Sequence, residues 1–324
     1  MKKTTKFSSF ENIAYPVFAI ALILIVGIFI PRFLTASNIL NVTKQSSITA
    51  IAAIGQTIVI ITGGIDLSCG GIMSFSAMVN GMLLLSGWPI ALTLPIALLS
   101  GTILGCISGL IIAKLKIPPF MATLVIGNIA SGLAMIFCKG SSLANLSDAN
   151  KYIGNGEILG IALPIWILLI FVVLGTLLLT RTSFGNKVYG IGNNIKVVKN
   201  EGVNVDRNII MVYALSAFCA SCAGIVLGGW LNAAHPTQGA YYQLDIIASC
   251  VIGGASLLGG EGKVLNSVVG AIIISALRTI LNLLAIIAYI QNLLIGSVII
   301  AIVAITMGIN KKYQKNQQFS NGCC

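Results

Sequence analysis

The sequence predicts an all-α membrane protein, a polytopic bundle of about ten transmembrane helices. Three observations lead there. Of the 324 residues, 57% are hydrophobic and 8% charged. A soluble domain carries about 25% charged residues, and so few here would not cover a surface in water. Apolar stretches of roughly 17–25 residues, the length a helix needs to cross the hydrocarbon, recur from end to end without a polar linker. They are continuous rather than alternating. Only helices and closed barrels satisfy the backbone in lipid, and continuous runs select helices.

In chain order the spans are expected near Tyr15–Ile30, Ile48–Ile65, Gly71–Leu85, Ile90–Ile112 and Phe120–Phe137. Then follow Leu163–Leu179, Ile209–Leu231, Leu244–Leu258, Val264–Leu284 and Ile290–Met307. The third and eighth are short and rich in small residues. Residues 15–309 are thus the transmembrane domain, between an N-terminal tail, 1–14, and a C-terminal tail, 310–324. The first span follows a basic segment as a signal peptide would. It is long for one and ends at Pro31-Arg32 without a small-residue cleavage site, so it reads as an uncleaved helix.

The net charge is +11, and its placement orients the bundle. Lys2, Lys3 and Lys6 lie in the N-terminal tail, and Lys114 and Lys116 follow the fourth span. Arg181, Lys187, Lys196, Lys199 and Arg207 follow the sixth, and Lys311, Lys312 and Lys315 end the chain. With ten spans all these segments fall on one side. The other side receives Arg32, Lys44, Lys139 and Lys151. The positive-inside rule puts the richer side, and both termini, in the cytoplasm. A basic chain can also bind nucleic acid, but cations scattered among loop ends follow membrane topology instead.

Eight cysteines and one histidine give little chemistry. Cys219-x-x-Cys222 has metal or redox spacing, yet it lies in an apolar span without a second ligand pair, and cysteine as a small buried hydrophobe is the better reading. Cys323-Cys324 is not a prenylation box. His235 alone supports neither a metal site nor a catalytic triad. No metal ligands and no catalytic residues are assigned. The glycines say more. Gly101, Gly105 and Gly109 share one helix face, as do Gly224 and Gly228, which lets helix backbones approach closely in lipid.

Polar residues interrupt the apolar pattern in two Gly-rich turns. The first, Ile61–Gly71, holds Gly63, Gly64, Asp66 and Ser68. Asp66 is an N-cap for the next helix or part of a transport path. The second, Ile252–Lys263, holds Gly259, Gly260, Glu261, Gly262 and Lys263. It is not a phosphate loop. Leu257 stands where that loop needs its first glycine, and Val264 where it needs Ser or Thr. The turns share Gly-Gly-x-x-Leu-x-x-Gly, a hint of duplication. Arg278 lies within the ninth span, and either snorkels to the outer headgroups, the favoured reading, or faces a polar path with Asn282 one turn on.

Gly63-Gly64-Ile65-Asp66-Leu67-Ser68 resembles the signature of the permease subunits of ribose-type monosaccharide ABC importers. The resemblance is collinear from about residue 15 to 310. It includes Pro31–Thr35 with Asn38, Pro119–Leu124, Thr182–Asn186 with Gly190–Asn193, and Gly202–Val205. It continues through Ala223–Ile225, Tyr242–Ala248, Gly253–Gly262 and Leu281–Leu284. The chain departs from the pattern at Val197–Asn200 and at Arg278–Leu281, which leaves the role intact and bears on the identity of the sugar.

The resemblance implies an ABC importer permease in the cytoplasmic (inner) membrane that binds no cofactor itself. It works beside a second, identical or different, permease chain, a cytoplasmic ATPase that uses the ATP, and an extracytoplasmic sugar-binding protein. The path is expected along the dimer interface, with Gly63, Gly64, Asp66, Ser68 and Asn282 as its candidates. Gly259–Lys263 is the favoured contact for the ATPase, with the loop Arg181–Arg207 as a second. The outer loops Lys139–Gly160 and Asn232–Gln243 are expected to receive the binding protein. The alternatives are a permease for a signalling furanone, nucleoside or branched-chain amino acid. An ion-coupled carrier would need more intramembrane carboxylates than Asp66 and Asp245, both read as helix-end residues.

Overall fold

The computed structural model describes residues 31–297 and 300, and among them the fold is helical. A short 3-10 turn, Pro31–Leu34, leads into α1 (Ala36–Ile61), α2 (Cys69–Leu85), α3 (Ile90–Leu115) and α4 (Pro119–Phe137). A short helix α5 (Asp148–Asn155) precedes α6 (Leu163–Arg181), α7 (Ser183–Asn200) and α8 (Val205–Leu231). The chain continues through α9 (Ala240–Ile252) and α10 (Val264–Leu283) to a helical stretch over residues 288–297. The expected span Tyr15–Ile30, both tails and Cys323-Cys324 lie outside the described residues, as does half of Ile290–Met307.

Among the described residues six helices, α1, α3, α4, α6, α8 and α10, are long and apolar enough to cross a membrane. Their outward faces carry bare hydrocarbon side chains such as Leu99, Ile103, Leu124, Val125, Val173 and Leu174, as lipid-facing helices do.

α1 begins at Ala36, twelve residues before the expected start of its span at Ile48. Asn41, Thr43, Lys44, Gln45, Ser46 and Ser47 hid this first part from a hydropathy reading. From Ser46 onward the helix is buried against protein, while before it only Val42 and Lys44 are. Lys44 is satisfied there by Asn155 Oδ1 at 3.3 Å.

The glycine ridge does what its spacing predicts, and α8 is the helix it serves. A Cβ added to Gly101 would strike Ser221 and Ser76, one on Gly105 would strike Ala217, and one on Gly109 would lie 2.6 Å from Ile210 Cα. The partners descend α8, by about one turn and then about two, as the glycines ascend α3, so the two helices cross in close backbone contact. On another face of α8, Gly224 lies directly on the backbone of Met73 in α2.

α2 and α9 are shorter than the other bundle helices, with 17 and 13 residues. At ~1.5 Å per residue α9 is about 20 Å long and cannot cross a core of about 30 Å. The expected span Leu244–Leu258 is therefore corrected to a half-helix that stops at Ile252, where Gly253 packs on the backbone of Asn266 and Ser267. The residues just before each short helix, Asp66 and Ser68 before α2 and Gln238 and Gly239 before α9, are buried. The peptide of Asp66 lies level with Gln56, whose side-chain amide donates to Asp66 O (3.1 Å) and accepts from Asp66 N (3.2 Å) in the orientation that satisfies both groups. Gly239, just before α9, donates from its N to Ser74 Oγ at 2.9 Å and lies against Gly70. The two helix starts thus meet inside the protein, where non-helical backbone is tolerable because protein groups satisfy it.

The two ends of the bundle differ in covering. At one end Leu143–Ala144 (β1) pairs antiparallel with Ala233–Ala234 (β4), and Glu157–Ile158 (β2) with Ile161–Ala162 (β3). α5 closes this end. Ser147 caps it by accepting from Asn150 N at 3.1 Å, and Asn155 Nδ2 donates to the terminal carbonyls of α8 at Gly229 (3.1 Å) and Trp230 (2.9 Å). At the other end lies α7, where a loop was expected. Phe184, Val188 and Ile191 make a buried stripe at helical spacing, and the opposite face carries charge. The helix kinks at Asn194 (φ −159°, ψ 96°), whose Oδ1 accepts from Lys196 N and Val197 N.

Candidate functional site

The two Gly-rich turns are far apart in sequence and adjacent in the fold. Gly260 N donates to Ile61 O, the end of α1, at 2.8 Å. Ser256 N donates to Glu261 O at 3.1 Å and Gly259 N to Ser256 O at 2.9 Å, which closes the second turn on itself. Gly63, Gly259 and Gly260 have φ of +82°, +88° and +79°, where side chains are strained, so glycine is required. A Cβ on Gly259 would sit 3.0 Å from both Gly63 N and Gly192 O, and one on Gly260 2.5 Å from Asn193 Oδ1.

α7 is the third member of this joint. Tyr189 Oη donates to Gly262 O at 2.7 Å, and Asn193 Nδ2 to Tyr189 O at 3.0 Å. Burial pushes the Tyr189 phenol above its ordinary value, which keeps it a donor. The structure therefore brings Gly259, Gly260, Glu261, Gly262 and Lys263 together with α7, the helical part of the Arg181–Arg207 segment. The Glu261 side chain is exposed at the rim. Lys114, at the end of α3, bridges to Asp206 at the start of α8 at 2.9 Å, on an exposed surface where such a pair contributes little.

Asp66 and Ser68 lie inside the bundle, each 1% exposed. Asp66 Oδ1 accepts from Ser68 N (2.8 Å) and Ser68 Oγ (2.5 Å), and Oδ2 accepts from Ser216 Oγ of α8 (2.8 Å). Ser68, not Asp66, occupies the N-cap position of α2, and its side chain makes no capping bond. Asp66 instead closes an Asx turn ahead of the helix and pins it to α8, with its charge near the positive helix end. Gly64 is buried with it, since a Cβ there would strike Tyr213 Oη. Asn282 stands apart. It is about 27 Å along α10 from Val264, exposed, and accepts from Gln291 Nε2 at 2.7 Å.

Arg278 does not snorkel. Its Nε donates to Asp245 Oδ2 and its Nη2 to Asp245 Oδ1 at 2.8 Å, a bidentate pair whose side chains are 12% and 2% exposed. Asp245 is in the middle of α9 rather than at a helix end. Sequence reasoning treated the two charges singly. Opposite charges in apolar spans that follow one another in the chain are the signal that pairs them. The two thiols of Cys219 and Cys222 lie in α8 and are free. Among the described residues no group of three or more His, Cys, Asp or Glu side chains has the geometry to hold a metal ion.

Comparison with known proteins agrees with this architecture. The family described as "Branched-chain amino acid transport system / permease component" matches residues 38–303. A ribose import permease of Haemophilus influenzae is 39% identical over 290 residues, 88% of this chain and 89% of that protein. A ribose import permease of Bacillus subtilis is 38% identical over 282 residues, 86% and 87% of the two chains. A D-allose transport system permease of Escherichia coli is 33% identical over 313 residues, 96% of each. No solved structure matches the chain.

Proposed function

The chain belongs to the family of branched-chain amino acid transport system / permease components, and from that premise we propose that it is the membrane-spanning subunit of an ATP-driven importer for a ribose-type monosaccharide. The relatives named for ribose and D-allose support a monosaccharide over the other solutes. In this reading the chain is a transporter rather than an enzyme. It resides in the inner membrane with both termini in the cytoplasm, and a separate ATPase uses the ATP.

The observation that carries the reading is the joint between α1, α7 and the Gly259–Lys263 turn. A push on Glu261 or on α7 is passed through Gly260 N–Ile61 O to α1. It also reaches α10, which begins at Val264 directly after the turn. α1 and α10 run the length of the bundle, so a displacement at one end tilts them as rigid elements. The ATPase docks on this end. The sugar-binding protein docks on the opposite end, where β1 and β4 tie the segments Lys139–Gly160 and Asn232–Gln243 together. A second permease chain completes the path. Asn282 and Gly63 are exposed and face it or its mouths, while Gly64, Asp66 and Ser68 hold the start of α2 in place beside it.

Gly260→Leu and Glu261→Trp test the joint. Each is expected to lower uptake of labelled D-ribose at least tenfold in cells that also express the ATPase and binding protein. Gly260→Leu should in addition weaken co-purification of the ATPase, because it displaces Asn193 of α7. Uptake and co-purification both at wild-type level would remove the turn from the coupling role.

A further inference from the structure

An ion pair this deep in a membrane protein demands a reason. Arg278 lies about 21 Å along α10 from Val264 and about 8 Å from the helix's other end at Leu283, within the length that a core of about 30 Å spans. A buried pair is seldom a net gain over hydrophobic side chains of the same shape, because desolvation of both charges offsets their attraction. Charges within spans accordingly mark paths for polar cargo more often than they mark packing.

The surroundings fit a ligand. A cavity of about 390 Å³, lined by Thr237, Ala240, Tyr241, Leu244 and Asn292, opens beside the pair. That volume lies within the range of about 300–1,000 Å³ usual for small-molecule sites. Arg278 borders it through two of its own bonds, from Nη2 to Tyr241 O at 3.2 Å and to Asn292 Oδ1 at 3.4 Å. All its bonds within the described residues run from Nε and Nη2. Asn292 and Thr237 add an amide and a hydroxyl, while Leu244, Ala240 and the Tyr241 ring give an apolar wall. A monosaccharide presents the complement, hydroxyls around its rim and C–H bonds on its faces.

Two other buried polar groups do not offer this. Asn80, Asn150 and Thr93 bond to one another, Asn80 Nδ2 to Asn150 Oδ1 at 2.9 Å and Thr93 Oγ1 to Asn80 Oδ1 at 2.8 Å, and all are sealed in the core. Thr57 donates to Ser267 at 2.7 Å in a junction of α1 and α10 that is equally closed.

We propose that the Asp245–Arg278 pair and the cavity beside it form a subsite that holds the hydroxyls of the transported monosaccharide part-way across the membrane. The proposal rests on the importer reading above, and it assigns to the permease a share of the selectivity. Arg278 supplies donors to the sugar, Asp245 fixes the guanidinium plane, and Asn292 and Thr237 meet the remaining hydroxyls.

The test uses the complete complex of permease, ATPase and binding protein, reconstituted in liposomes and assayed with D-ribose and D-allose at saturating concentration. The double variant Asp245→Asn/Arg278→Gln removes both charges and keeps a polar group at each position. It should assemble with the ATPase and hydrolyse ATP while moving D-ribose about tenfold more slowly. Asn292→Leu leaves the ion pair in place and should change the D-ribose to D-allose rate ratio at least threefold. Wild-type rates and an unchanged ratio in both variants would overturn the subsite. So would loss of assembly in the double variant together with an unchanged ratio in Asn292→Leu, which would make the pair a structural strut. A wild-type complex that moves neither sugar would instead refute the monosaccharide reading itself.

Discussion

Asp66→Ala is expected to unfold the bundle rather than merely slow transport. The substitution removes the acceptor for Ser68 N, Ser68 Oγ and Ser216 Oγ at once, in a place with no water to take over. Each buried donor left without a partner costs about 1–3 kcal/mol, more when the lost acceptor was charged. The total is several kcal/mol, against an overall stability of about 5–15 kcal/mol for a typical domain. The loss also falls at a critical place, because Asp66 holds the start of α2 against α8, the helix on which Gly101, Gly105, Gly109 and Gly224 converge. Purified Asp66→Ala should elute as aggregate, or melt at least 10 °C below wild type, when heated and assayed by size exclusion. Asp66→Asn should fall between. It keeps one acceptor for the Ser68 amide, and the Ser216 hydroxyl can rotate to accept from the new NH2. If Asp66→Ala instead melts with wild type and only uptake is lost, the carboxylate acts on the cargo and not on the fold.

Asp66 also shows what a sequence can and cannot reveal in such a protein. Its position between Gly-rich residues identified a break in the helical pattern. Whether it capped a helix depended on where α2 begins, and that is decided by a tertiary bond to Ser216, 150 residues away. The glycines of α3 were legible because their spacing is local and close approach follows from it directly. Hydropathy located α3, α4, α6, α8 and α10 well because each shows lipid a broad face or is apolar throughout. It missed the first part of α1, where the polar run Asn41–Ser47 lowers the average, and it read α7 as loop because one buried stripe of Phe184, Val188 and Ile191 is too narrow to raise the average. The Arg278 error has the same origin. A reading that started the eighth span at Leu244, four residues after the helix begins at Ala240, placed Asp245 at a helix end. The observed stop at Ile252 makes α9 and α10 a short hairpin and sets Asp245 beside Arg278.

Gly192→Ala, a change of one methyl group, is expected to abolish transport. The new Cβ would land on Ile61 O and come within 2.5 Å of Gly260 N, the acceptor and donor of the bond that ties the second turn to α1. Neither atom belongs to a flexible side chain, so α7 must move away from the joint or the bond must break. Either outcome disconnects the proposed ATPase-facing helix from the bundle. Uptake should fall to a tenth or less, while ATP hydrolysis by the assembled complex becomes insensitive to the loaded binding protein. The neighbouring glycines supply the controls. A Cβ on Gly190 meets only Val198 Cγ2 at 2.9 Å, a side-chain end that can shift, and one on Gly132 meets nothing within 4 Å. Gly190→Ala and Gly132→Ala should therefore retain most of the wild-type rate. If Gly192→Ala matches these controls in uptake and in its ATPase response, the joint does not transmit the ATPase stroke. Coupling must then enter the bundle by another route, such as the exposed Lys114–Asp206 edge between α3 and α8.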